Sequence, residues 1–228
     1  MKRYIFIIAL VAGCATYSES VQTANTKTEA GQTESAIANL NQKLDVHTEA
    51  DLPKKFKGNR TLLVLERATL LQAIGRYDLA ARDMVLVDQH MAWLDINKTT
   101  KDALGKYLYS GDDALYRSPP HERMMLNQLN IVNFLALENY SAAKVEARRF
   151  QLLEKFFAQQ KERPITPSVL ATGNYLSGVA FEGGRDYDEA VRCYGRAFHF
   201  GIRDTDIEAR IIDLVRVTGR TEREFDSA

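Results

Sequence analysis

The chain has 228 residues and a mass of 25.8 kDa, with 45% hydrophobic and 26% charged side chains, which excludes wholesale disorder and allows one medium domain or two small ones. Thirty basic residues balance thirty acidic ones, so no net field draws in nucleic acid or anionic lipid. Cys14 and Cys193 are too few for a disulfide framework or a structural zinc site, and His47, His90, His121 and His199 lack metal-binding spacings.

At the N-terminus, Lys2 and Arg3 precede an apolar stretch from Ile5 to Ala12. A bilayer-spanning helix needs roughly 20 apolar residues, so this stretch is too short to span. Its charge and length fit a secretory signal, with a buried N-terminal helix as the competing reading. Val11-Ala12-Gly13-Cys14 follows, with small residues ahead of the cysteine. It resembles the lipobox of bacterial lipoproteins. That resemblance implies a signal peptide over 1–13, lipidation of the Cys14 sulfur, cleavage just before it and acylation of the new N-terminus. Several acyl chains anchor strongly, because each buried methylene contributes about 0.8 kcal/mol. Ala15 is not the aspartate that holds such proteins in the inner membrane of enteric bacteria. The expected location is therefore the cell envelope, lipid-anchored to the outer membrane and facing the periplasm.

Between Ala15 and Glu34 the strong apolar and aromatic residues are Val21 and Tyr17 alone. Such a composition cannot bury enough surface to offset the entropy of ordering. Residues 14–34 are expected to be the lipidated cysteine and a flexible tether, a coil spanning on the order of 25 Å. The remainder, 35–228, reads as one α-helical domain.

Ile37, Leu40 and Leu44 mark a short amphipathic helix by their spacing, and Pro53 and Gly58 then break the chain. Three later segments align by turn chemistry: Ala73 to Ala81, Ala136 to Lys144, and Glu182 to Ala190. Each places a small or polar turn before a tyrosine (Tyr77, Tyr140, Tyr187) and an alanine three residues after it (Ala80, Ala143, Ala190). This resembles the tetratricopeptide repeat (TPR), a helix–turn–helix unit of 34 residues. The third copy matches best, with Gly178, Phe181, Tyr187, Ala190, Tyr194 and Ala197 at the signature offsets. The tyrosines are 63 and 47 residues apart, which places insertions around residues 95–123 and 158–168. Asp204 or Asp206 can cap a last helix that Gly219 stops, the terminal element a solenoid requires. The expected fold is all-α, a TPR-like right-handed solenoid behind a disordered N-terminal tether.

The runs Leu62 to Arg67, Tyr116-Arg117 with Glu122-Arg123-Met124, and Val145 to Arg149 are together similar to a group of uncharacterised bacterial TPR lipoproteins, over roughly residues 60–200. Ser118-Pro119-Pro120 departs from that group's usual Gly-containing turn. The resemblance implies a location and a fold, and by fold-level analogy a helper in envelope assembly.

Candidate sites are few. Cys193, between Val191 and Tyr194, reads as a small buried hydrophobe. No Gly-rich phosphate loop, nucleophile elbow or His-Glu metal motif is present in the sequence, and no catalytic domain is appended, so no enzyme, cofactor or metal is expected. Glu146, Arg148 and Arg149 read as solvated or locally ion-paired. In Tyr107 to Arg123, Ser118 caps a helix with Pro119 in its first position, or the segment rims a binding groove with Tyr116 and Arg117.

In TPRs the first helix of each repeat lines the concave face. The resemblance thus places Leu65, Thr69 and Gln72 there from the first repeat, Met125, Gln128 and Val132 from the second, and Tyr175, Val179 and Glu182 from the third. Such a mixed groove suits a peptide better than a nucleic acid or a sugar chain. The expected function is a non-catalytic scaffold, membrane-anchored at Cys14, that binds another cell-envelope protein through Gln72, Gln128, Tyr175 and Glu182 with Tyr116 and Arg117 at the rim. The alternative is a peptidoglycan- or saccharide-binding envelope module.

Overall fold

The computed structural model describes residues 17–56, 59–90, 118–159 and 165–219. Cys14, Tyr116, Arg117 and most of the expected 95–123 insertion lie outside the described residues. Nine α-helices and no strand occur among the described residues: α1 (Tyr17–Glu29), α2 (Thr33–Lys43), α3 (Arg60–Ala73), α4 (Tyr77–His90), α5 (Pro120–Ala136), α6 (Tyr140–Ala158), α7 (Pro167–Gly183), α8 (Tyr187–His199) and α9 (Thr205–Thr218). Consecutive helices pack side by side, and α5 also touches α7, so the fold is an all-α helical-repeat solenoid.

Three helix pairs, α3/α4, α5/α6 and α7/α8, turn in the same way. Two residues before each turn tyrosine the backbone is left-handed: Gly75 at φ 78°, Glu138 at φ 54° and Arg185 at φ 59°. The next N–H then reaches back across the helix end, from Arg76 to the Leu71 carbonyl (2.9 Å), from Asn139 to Phe134 (2.8 Å) and from Asp186 to Phe181 (2.8 Å). These are Schellman closures, which satisfy carbonyls the helix leaves open. Only the first uses glycine at the left-handed position. In the third turn, Gly184 has an ordinary φ of −83° and the left-handed residue is Arg185. A Cβ on Gly184 would sit 2.8 Å from the flexible end of the Lys144 side chain of α6, which can move aside.

The helix starts follow local chemistry. Pro120 and Pro167 open α5 and α7 with the φ a first turn needs. α5 thus begins one residue later than the sequence predicts, and Ser118, the expected cap, is buried at 4% exposure. The Asn139 side chain accepts the Ala142 N–H at 3.1 Å, and Asp204 accepts the Asp206 N–H at 2.9 Å. Gly219 ends α9 in the left-handed conformation at φ 70°, as the sequence predicts.

Of the four apolar clusters among the described residues, two, around Phe150 and around Leu71, are small and two are large. The C-terminal one gathers Ala143, Ala147, Ala180, Phe181, Ala190, Val191, Tyr194 and Ala197 with Ile207 and Leu214 of α9. Close approach is built in, since a Cβ on Gly178 would lie 2.6 Å from the Tyr194 ring. The N-terminal cluster joins Leu40 and Leu44 of α2 to Val64 and Ala68 of α3 and to Met84 and Val87 of α4. It also takes in Ala24 of α1, which is 3% exposed. Residues 17–29, read from sequence as tether, are therefore helical. α1 lies against α2, which supplies the apolar surface that its own composition lacks.

Candidate functional site

Counting from the turn tyrosines places the expected groove residues on equivalent turns of α3, α5 and α7. Their contacts differ from those of an open groove. Gln72 Nε2 donates to the Leu129 carbonyl and to Asn133 Oδ1, each at 2.8 Å, tying α3 to α5. Gln128, 7% exposed, donates from Nε2 to the Val169 carbonyl at 2.8 Å, tying α5 to α7. Glu182 accepts the Tyr194 hydroxyl at 2.8 Å and pairs with Arg210, tying α7 to α8 and α9. Burial holds the Tyr194 hydroxyl above its ordinary pKa, so it remains a donor to this carboxylate. These three polar side chains bridge helices. Tyr175 alone of the four stands exposed, at 41%, leaning on the Tyr194 ring with 6.0 Å between centroids. Of the other residues expected on the first-helix face, Met125 is 44% exposed and Val132 and Val179 are half-buried.

Buried ionic groups lie along the seams between helices. Arg67 of α3 is fully buried: Nε donates to Asp83 Oδ2 at 2.7 Å, Nη1 to Asn41 Oδ1 at 2.9 Å and Nη2 to the Asp51 carbonyl at 3.2 Å. Arg82 pairs with the other Asp83 oxygen at 2.8 Å and also grips the Glu49 and Ala50 carbonyls. Guanidinium groups thus fasten the α2–α3 connection onto the first repeat. At the next seam, Asp88 pairs with Arg123 at 2.7 Å. Arg149 stands between two carboxylates, 2.9 Å from Glu146 and 3.8 Å from Asp88.

Of the two readings that the sequence leaves open, Glu146 follows the local ion pair, with Arg149 three residues on, and not the solvated side chain. It is 4% exposed and accepts Asn127 Nδ2 at 2.7 Å. Burial raises its pKa, against the lowering pull of Asn127 and Arg149. Cys193 is buried as expected, its thiol pushed up to about 12 by desolvation, which keeps it protonated and unreactive at neutral pH.

Sequence reasoning missed one cavity. A cleft of about 650 Å³ opens between α6 and α8 above the buried Phe181 ring of α7. Arg196 crosses its floor to Glu154 at 2.6 Å, and Glu154 also accepts Asn174 Nδ2 at 3.1 Å. Arg148 sits over the Phe181 ring, 5.7 Å from its centre, and faces Asp186 at 3.7 Å. Among the described residues there is no cluster of His, Cys, Asp and Glu able to hold a metal, and no helix long and apolar enough to cross a membrane. In comparisons with known proteins, no family model and no curated protein matches the chain.

Proposed function

We propose that the chain is a non-catalytic TPR lipoprotein, anchored through Cys14 to the outer membrane of a bacterial envelope, that holds a segment of another envelope protein against the face of its first helices. The observation that carries this reading is that Met125 of α5 and Tyr175 of α7, first helices that pack on one another, are 44% and 41% exposed. Apolar groups presented together on an ordered surface are the usual mark of a protein contact. Tyrosine adds a hydroxyl and a broad ring at the entropic cost of two torsions. Support for the address comes from the Lys2-Arg3 charge, the short apolar stretch and the Ala12-Gly13-Cys14 motif.

Two measurements test the reading. Mass spectrometry of the mature protein should find an acylated Cys14 at the N-terminus, and an intact Met1 would overturn the address. Purified full chain should retain a solubilised envelope protein that Tyr175→Ala and Met125→Ala release, with circular dichroism and melting near wild type. Truncating a true hot spot costs about 2 kcal/mol or more, roughly thirtyfold in affinity. Retention by purified sacculi in place of protein would transfer the function to a peptidoglycan-binding module.

A further inference from the structure

The internal repeat supplies its own control for the cleft between α6 and α8. Eight residues after the turn tyrosine, α4 carries Val85 and α6 carries Arg148. Five residues after it, α6 carries Val145 and α8 carries Arg192. The seam between the first and second repeats therefore has Val85 and Val145 where the seam between the second and third has Arg148 and Arg192. Packing does not demand these guanidinium groups, because the same solenoid positions elsewhere hold valine. Their side chains are also open, 58% exposed for Arg148 and 49% for Arg192.

Their internal partners hold them weakly. The Arg148–Asp186 separation of 3.7 Å is longer than a hydrogen bond, and Arg192, itself 49% exposed, hydrogen-bonds half-buried Glu189 only within its own helical turn. Exposed pairs of this kind contribute at most about 1 kcal/mol, so an incoming carboxylate can replace them. Glu154 is different, since it is 5% exposed and committed to Arg196 and Asn174 in the floor. Lys155 of α6 adds a further cation to the lining. Leu152, 54% exposed on the same wall, supplies an apolar contact. The volume falls in the range of sites that enclose a small ligand or a few residues of chain.

We propose that this cleft binds a short acidic peptide segment, its carboxylates on Arg148 and Arg192 and an apolar side chain against Leu152. Arginine suits this task because its planar fork grips a carboxylate through two parallel hydrogen bonds. The site is separate from the first-helix face around Tyr175 and does not depend on the function assigned to that face.

Fluorescence anisotropy of a short fluorescein-labelled peptide of alternating Glu and Leu, titrated with the purified full chain, tests the site. Saturable binding is expected, weakened by about tenfold or more in Arg148→Ala/Arg192→Ala and untouched by Tyr175→Ala. The double variant should melt near wild type, since both side chains are exposed. Arg148→Lys/Arg192→Lys keeps the charge without the fork and should fall between the two. Absence of saturation at millimolar concentration, equal binding by the double alanine variant, or equal binding of an alternating Lys and Leu peptide would each overturn the proposal. Displacement of the peptide by inorganic phosphate at constant ionic strength would also overturn it, in favour of a small-anion site.

Discussion

Ten residues before the turn tyrosine, the first repeat has Arg67 and the third has Ser177. Six residues after it, the first has Asp83 and the third has Cys193. All four side chains are buried. In α3/α4 the two positions form a salt bridge of 2.7 Å that also reaches α2 and its connection to α3. In α7/α8 they are neutral, with Ser177 donating to the Gly173 carbonyl at 2.7 Å and Cys193 receiving Gln151 Nε2 at 3.3 Å. The turns close alike in both pairs, so the backbone motif does not dictate what fills the seam. A buried ion pair requires every charged partner in place, whereas small neutral side chains require shape and a local hydrogen bond.

That contrast breaks most sharply at Arg67. Arg67→Met leaves Arg82 as the remaining cation on buried Asp83, takes the donor from Asn41 Oδ1 and the Asp51 carbonyl, and should cost about 3 kcal/mol in urea unfolding. Arg67→Met/Asp83→Leu removes both charges and should recover most of the loss, which keeps the test readable if the single variant fails to fold. A single variant as stable as wild type would mean that the pair does not hold the N-terminal helices together.

In the third repeat the vulnerable property is volume. Ala190 is fully buried beside Tyr194, and Ala190→Leu should lower stability by about 1–3 kcal/mol through overpacking. Ala209→Leu, the same change on the exposed side of the neighbouring α9, should stay within about 0.5 kcal/mol. Equal, mild melting shifts for both would displace the repeat register. Glu189, the chain neighbour of Ala190, is half-buried and paired with Arg192, so it makes a poor control.

The second repeat sharpens the comparison with the smallest effect. The folded pKa of Glu146 lies above its ordinary value because the carboxylate is buried. Its contribution to stability is therefore fully present when it is protonated, below the unfolded value, and is lost as pH rises through the raised folded value. Glu146→Gln keeps an oxygen for Asn127 and gives up an Arg149 pair worth at most about 1 kcal/mol. Thermal unfolding at pH 7 should show a variant at least as stable as wild type, with the difference turning against it as pH falls through the acidic range. A variant destabilised equally at every pH would show that Glu146 acts through packing alone.

The repeat units themselves were legible from residue spacing. The tyrosine and the alanine three residues on mark each second helix, and Asp204 and Gly219 bound the last helix as read, whereas the start read at Ser118-Pro119 falls one residue later, at Pro120. Short-range preferences suffice for such features, because each is decided within one helical turn. The roles of Gln72, Gln128 and Glu182 were not legible in this way. Their spacing places them on one face of their helices, but Gln128 finds its acceptor 41 residues away at Val169 and Gln72 finds one 57 residues away at Leu129. No local pattern encodes a partner at that distance.

By itself the sequence determined an all-α chain of paired helices, the register of its three turns, and the packed positions of the third repeat. Only the tertiary structure decided which polar side chains remain available. It drew Gln128 and Glu146 into seams, ordered Tyr17–Glu29 against α2, and left Tyr175 outward and the arginines Arg148 and Arg192 along an open cleft. The physical reason is that helix formation and capping depend on neighbours along the chain. The exposure of a polar group depends instead on whether a distant helix offers it a hydrogen bond good enough to replace water.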